Sequence, residues 1–270
     1  GANTTGAENT ALGSNALGAN TTASYNVAVG QGAGDAITTG NYNTAIGRSA
    51  LTTLTTNAAN TAVGGTALSA NTAANNTAVG YTAAYNNTTG TDNSAFGESA
   101  LYTNQTGGRN NAFGRGALRY LNGGTGNAGF GNETFRSTTT GVHNIGVGDY
   151  AGYHNATGSG NIGIGYRATF ANTAGNYNVA VGYSALYNST ASGNVAVGKE
   201  ALKNNSSGTR NTAIGENAGL SNTTGGNNVF LGGEAGRGRT TGALNVALGP
   251  LSLYATGGTS NSNIAIGYYC

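Results

Sequence analysis

Sixteen times along its 270 residues the chain returns to an Asn, a variable residue, a usually small residue, an apolar residue and a Gly. NVAVGYSAL at 178–186 is followed by NVAVGKEAL at 194–202, after NTAIGRSAL at 43–51 and NTAVGGTAL at 60–68. Of the 15 intervals between successive motif Asn residues, from Asn9 to Asn263, 12 are 17 residues, two are 16 and one is 18. A fixed period of this length is the mark of a solenoid, because each unit is too small to bury a core without its neighbours. Residues 1–8 read as a partial N-terminal coil or flank, and 9–270 as a single repeat array. No room is left for a separate domain.

Counting each repeat from its Asn as position 0, position +3 is apolar in every copy, from Leu12 to Ile266. Position +1 is mainly Thr, Val or Ile, position +2 is Ala or Gly except at Phe230, and position +4 is always Gly. That alternation, rich in β-branched residues, is the period of a strand. The large residues at +1 and +3 read as the core face. The Ala and Gly face reads as a surface that another backbone or another chain approaches closely, which favours an oligomer. Gly at +4 serves either that approach or a positive φ.

Ala fills +7 in 13 of 15 copies and Leu is commonest at +8, which reads as a second short strand. Stretches such as NNTTGTD at 86–92 carry turn residues. The expected fold is therefore all-β: a parallel β-roll or β-solenoid of about sixteen 17-residue coils. At strand spacing this makes a rod on the order of 75 Å. In such a stack the recurring Asn, among them Asn93, Asn110, Asn127, Asn144, Asn161 and Asn178, forms a structural ladder, each amide bonding to the copies above and below.

Composition excludes other classes. Forty-nine Gly with one Pro is not collagen. Only 7% of residues are charged, against about 25% in ordinary domains, yet the strict phase of the apolar residues argues against disorder. The net charge of +2 has no basic run, so no nucleic-acid partner is expected. No apolar stretch is long enough to span a membrane. Lacking a signal peptide and an initiating Met, the sequence reads as a mature or excised segment.

Cys270, the single cysteine, has only His143 and His154 as companions, too few for a zinc site, and no cofactor is expected. Scattered acids such as Glu98, Asp149 and Glu200 lack the paired arrangement of glycosidases, and GQGAGD at 30–35 lacks the Lys-Ser/Thr of a phosphate loop. The chain reads as a non-enzyme.

A solenoid turns one repeat position into a surface column. Position +9 holds Tyr85, Tyr102, Arg119, Arg136, Tyr153 and Tyr187, with Phe170, Lys203, Arg237 and Tyr254. Position +5 adds Tyr81, Arg115, Tyr166, Tyr183 and Lys199. Tyr and Arg are favoured at interfaces, so these columns are the candidate contacts for a glycan or protein receptor. The competing reading is that they only cover the corners of the rod. Asn-x-Ser/Thr sequons at Asn87, Asn104, Asn155, Asn188, Asn205 and Asn222 read as accessible loop acceptors in a pathway that attaches sugars, or as chance matches among turn residues.

NVAVGYSAL, NTAIGRSAL and NSAFGESAL (93–101) resemble the head repeats of trimeric autotransporter adhesins, and similar repeats resemble stretches of bacteriophage tail fibres. The resemblance covers residues 9–270. It implies a left-handed β-roll packed as a homotrimer at the cell or virion surface, with Val179, Ala180, Val181 and Gly182 on the inner strand. The coil is a few residues longer than that family's usual one, and coiled-coil stalk, neck and membrane barrel are absent from this sequence.

The expected function is therefore a non-enzymatic extracellular fibre or adhesin head that mediates attachment to a cell surface, matrix or glycan. The alternative is a structural shaft or self-assembling filament subunit without its own receptor site, which the open edge after NIAIGYYC keeps in play. Ice binding needs an unbroken Thr column. Position +1 instead passes from Thr44, Thr61 and Thr77 to Ile145, Ile162 and Val179.

Overall fold

A computed structural model of the chain describes residues 3–254 and 257–270, so residues 1 and 2 of the expected flank lie outside the described residues. Among the described residues there are sixteen strands and no helix. Each strand has three residues and occupies positions +1 to +3 of a repeat. Packing divides the chain into two compact units, Gly1–Glu133 with Thr138–Thr140, and Thr134–Ser137 with Gly141–Cys270.

In the first unit β1 (Thr10–Leu12) to β8 (Ala128–Phe130) form a parallel ladder in sequence order, and in the second β9 (Ile145–Val147) to β16 (Ile264–Ile266) do the same. Equivalent positions pair, as in Thr44↔Thr61, Ala45↔Ala62 and Ile46↔Val63. The 16-residue coils do not disturb this register: Thr61 pairs Thr77 and Val179 pairs Val195. The missing residue is therefore taken out of a loop, where backbone can be shortened without turning strand side chains to the wrong face. The chain is a β-solenoid.

The second short strand expected at +7 and +8 is not formed. Positions +4 to +10 make a turn in which +6 and +8 are left-handed, for example Ser99 at φ 56° and Leu101 at φ 52°. The alternating backbone aims successive amides at opposite neighbours. Ser99 N–H donates to Tyr81 O of the preceding coil (3.0 Å), and Leu101 N–H donates to Ala117 O of the following one (3.0 Å). A left-handed residue other than Gly costs about 1–2 kcal/mol. Here the conformation is held because it pairs turn amides with carbonyls of both neighbouring coils.

The inner and outer faces of the strand are the reverse of the sequence expectation. Position +2 is the interior: Ala28, Ala45, Ala62, Ala78, Ala95, Ala180 and Ala196 are all buried. Opposite them lie the buried Ala at +7 and Leu at +8, such as Ala185, Leu186, Ala201 and Leu202. The two walls of the coil are so close that one wall supplies methyl groups and the other Leu side chains. The Val, Ile and Phe side chains at +1 and +3 point outward, with Ile46 38%, Phe130 41%, Ile145 43% and Ile214 45% exposed. The close neighbour that the small residues announce is thus the chain's own second wall rather than another chain.

Where the Ala/Leu pairing is broken, the volume is returned across the coil. Phe230 replaces Ala at +2 and is fully buried, and the +8 residues beside it are Gly219 and Gly236. A Cβ on Gly236 would lie 2.2 Å from the Phe230 ring, and one on Gly219 2.6 Å from it. Phe135 at +8 does the same against Gly146 and Gly152. Gly at +4 satisfies both of its expected roles. Gly97 has φ +130°, and a Cβ there would sit 2.6 Å from the Gly114 carbonyl of the next coil.

Candidate functional site

Two Asn ladders fix the corners from which the surface columns project. At position 0 the side-chain Oδ1 accepts the backbone N–H of the following Asn, and on many rungs its Nδ2 as well. Asn161 donates its backbone N–H (3.0 Å) and Nδ2 (3.2 Å) to Asn144, and Asn178 donates in the same way to Asn161 (3.0 and 3.2 Å). Most Nδ2 groups also donate within their own coil, as Asn161 does to Gly175 O at 2.8 Å. Asn93 donates to Asn76, Asn110 to Asn93 and Asn127 to Asn110. The backbone amide thus joins the amide-to-amide chain expected from sequence.

A second ladder at position +11 was not foreseen. Asn87 Nδ2 donates to Asn71 Oδ1 (2.7 Å), Asn104 to Asn87 (3.0 Å) and Asn222 to Asn205 (2.9 Å). It stops where the next +11 residue is not Asn: Asn104 precedes Leu121 and Asn222 precedes Arg239, and the Oδ1 atoms of both are buried without a donor. This overturns the accessible-sequon reading at five positions. Asn87, Asn104, Asn155, Asn205 and Asn222 are completely buried, and only Asn188 is exposed. Turn-type composition hid them, because Asn-x-Thr is equally what a buried Asn rung followed by an exposed Thr looks like.

The columns on the turn wall are half-buried stacks. Tyr85 and Tyr102 stack at 5.5 Å and 10°, with the Arg119 guanidinium 5.8 Å from the Tyr102 centroid. In the second unit Tyr153, Phe170 and Tyr187 stack at 5.4 and 4.9 Å, and Arg136 lies over Tyr153 and donates to its hydroxyl. Within a stack the ring faces cover each other, so the surface is offered ring edges, phenol groups and guanidinium nitrogens.

Residues at +6, not singled out by sequence, complete this surface. Arg167 lies 5.9, 5.1 and 5.3 Å from the rings of Tyr150, Tyr166 and Phe170, and Tyr166 stacks on Tyr183 at 5.4 Å. Their only signal was position, one residue from a column already marked. Elsewhere on the turn wall Lys199 pairs with Glu216 at 3.0 Å and Arg237 with Glu234 at 3.0 Å. The hydrogen bond to the carboxylate holds each cation's pKa above its ordinary value.

The strand wall carries a different surface. Its outward row in the second unit is Ile145/Val147, Ile162/Ile164, Val179/Val181 and Val195/Val197, continuing to Ile264/Ile266. In the first unit the row is Thr/Val or Thr/Ile at β3 (Thr44–Ile46) to β5 (Thr77–Val79) and then carries a Phe stack. Phe96, Phe113 and Phe130 lie 4.6 and 5.1 Å apart. Position +3 of this row is apolar in every strand, while +1 is polar at Thr44, Thr61, Thr77, Ser94, Asn111 and Thr212.

Among the described residues no group of three His, Cys, Asp or Glu side chains gathers as metal ligands. Cys270 is exposed. Comparison with known protein families finds no match, and no curated protein matches the chain.

Proposed function

We propose that the chain is a non-enzymatic fibre segment, an adhesin head displayed outside the cell or on a virion, whose copies associate through the outward strand face. The observation that carries this reading is the row of half-exposed Val, Ile and Phe side chains at +1 and +3, which none of the described residues covers on its outer side. Each such side chain gains roughly 1 kcal/mol when its remaining surface is buried. A row repeated at every coil makes that gain cumulative when copies lie parallel and in register.

Three copies is the number implied by the resemblance of NVAVGYSAL and NTAIGRSAL to trimeric autotransporter adhesin heads. Packing the strand faces around a common axis leaves the turn wall outside. Its Tyr and Arg columns, Tyr85, Tyr102 and Arg119 in one unit and Arg136, Tyr153 and Tyr187 in the other, then meet the receptor through ring edges and guanidinium groups. Interfaces are enriched in both residue types.

Light scattering on the purified chain tests association. A species near three times 26.5 kDa is expected. Large open-ended polymers would favour the filament-subunit alternative, and a clean monomer at micromolar concentration would overturn both.

A further inference from the structure

Position −1, the residue before each ladder Asn, forms a third column with a left-handed backbone. In the second unit it includes Gly160, Tyr177, Gly193, Arg210 and Asn227, with φ of 66°, 56°, 73°, 56° and 56°. Gly193 leaves a gap between two large side chains. It closes the 16-residue coil Asn178–Gly193, which is one loop residue shorter than its neighbours. Around the gap is an open hollow of about 310 Å³ lined by Tyr177, Ser192, Gly193, Thr209 and Arg210. That is at the lower end of small-ligand sites.

The walls are set by backbone geometry. Tyr177 and Arg210 stand two coils apart, roughly 10 Å at strand spacing. A single ring in contact with both needs about 7–8 Å. Tyr177 rests on Gly160, where a Cβ would lie 2.7 Å from its Cδ1 and 2.9 Å from its Cε1, so it leans away from the gap. The ring is 74% exposed. On the far side the Cγ of Arg210 lies 3.7 Å from where a Gly193 Cβ would be.

The polar inventory is specific. Arg210 is exposed and makes no ion pair among the described residues. Ser192 Oγ accepts from Asn176 N–H at 2.9 Å and keeps its own hydrogen to donate. Thr209 lies exposed beside it. One aromatic ring, one free guanidinium and two hydroxyl groups around a gap one ring wide suit a pyranose that carries a carboxylate. The ring's apolar C–H face lies against Tyr177, the carboxylate accepts from Arg210, and its hydroxyls meet Ser192 and Thr209. A neutral sugar leaves the cation unused, and a bare anion leaves the ring wall unused.

We propose that the notch at Gly193 binds a single uronate-type sugar residue of a glycan. The site lies wholly within the second unit and stands whether or not copies associate, so its failure is distinguishable from failure of the trimer reading, which light scattering tests alone.

The test is saturation-transfer NMR on the purified chain with methyl glucuronide, methyl glucoside and benzoate as separate probes. Methyl glucuronide is expected to saturate with a Kd on the order of 1 mM. Arg210→Ala and Gly193→Asn should each weaken it at least tenfold, whereas Arg109→Ala, at the same repeat position in the first unit, should not. Gly193→Asn fills the notch without altering the backbone, because Asn75 and Asn227 already occupy this position at φ 61° and 56°. No saturation by methyl glucuronide, equal binding of the glucoside, or binding unchanged in Gly193→Asn would overturn the proposal. Binding of benzoate alone would overturn the sugar assignment.

Discussion

A ladder Asn at position 0 does more than an ordinary turn residue, and its removal should show it. Asn161 donates to Asn144 and to Gly175 O, and its Oδ1 accepts both the backbone N–H and Nδ2 of Asn178. Asn161→Ala strips partners from groups on three coils in a fully buried corner. A buried group left unpaired costs about 1–3 kcal/mol, so a loss of about 2–5 kcal/mol is expected in denaturant unfolding. Asn188→Ala, at the exposed sequon, should stay within about 0.5 kcal/mol. Equal losses at the two sites would contradict the ladder account. The motif itself made this Asn legible, since an amide kept at every repeat beside a strand is suited to a hydrogen-bonded ladder. The +11 rungs were not legible because Ile37, Leu54 and Leu121 interrupt them, and an intermittent Asn next to Thr looks like loop.

At the scale of one coil, the strand was readable and its orientation was not. Period-two alternation locates β11 (Val179–Val181) and its copies but is silent on which face turns inward. Size suggested that Val and Ile face the core. The restriction on volume was the better guide: +3 varies freely among Val, Ile, Leu and Phe, as an outward position can, while +2 admits almost only Ala and Gly. The one large exception, Phe230 flanked by Gly219 and Gly236, shows that +2 and +8 share a confined interior. A coupling experiment follows from it. Phe230→Ala should cost about 3–5 kcal/mol through the cavity it leaves. Gly236→Leu alone should cost about 1–3 kcal/mol or more by overpacking against the ring. The double variant restores the Ala/Leu pairing of other coils, where Leu takes the same left-handed backbone at φ of about 50° in Leu186 and Leu202. Its loss should fall short of the sum by roughly 2 kcal/mol or more. Additive losses would mean that the two walls do not pack as described.

For the whole molecule, the reversal of faces changes where the proposed association would be disrupted. If copies met through the Ala and Gly face, substitutions at +3 would act on folding. With Ala180 and Ala196 enclosed by the coil, that face is closed to a partner chain, and on the strand wall the outward row takes its place. Val181→Asp with Val197→Asp places adjacent carboxylates on that row, where solvent hydrates them in the single chain. In an assembly the same charges are desolvated and lie beside like charges on the partner copies, an arrangement that costs several kcal/mol. The variant should therefore sediment as a monomer of 26.5 kDa while keeping the β circular dichroism of the parent. Tyr187→Ala on the turn wall should leave the parent mass unchanged. The electrostatic arm adds a pH readout: below about pH 4 the introduced carboxylates are protonated and association should partly return. A variant that stays associated at neutral pH would show that copies meet elsewhere, and the turn-wall stacks would then be the surface to substitute next.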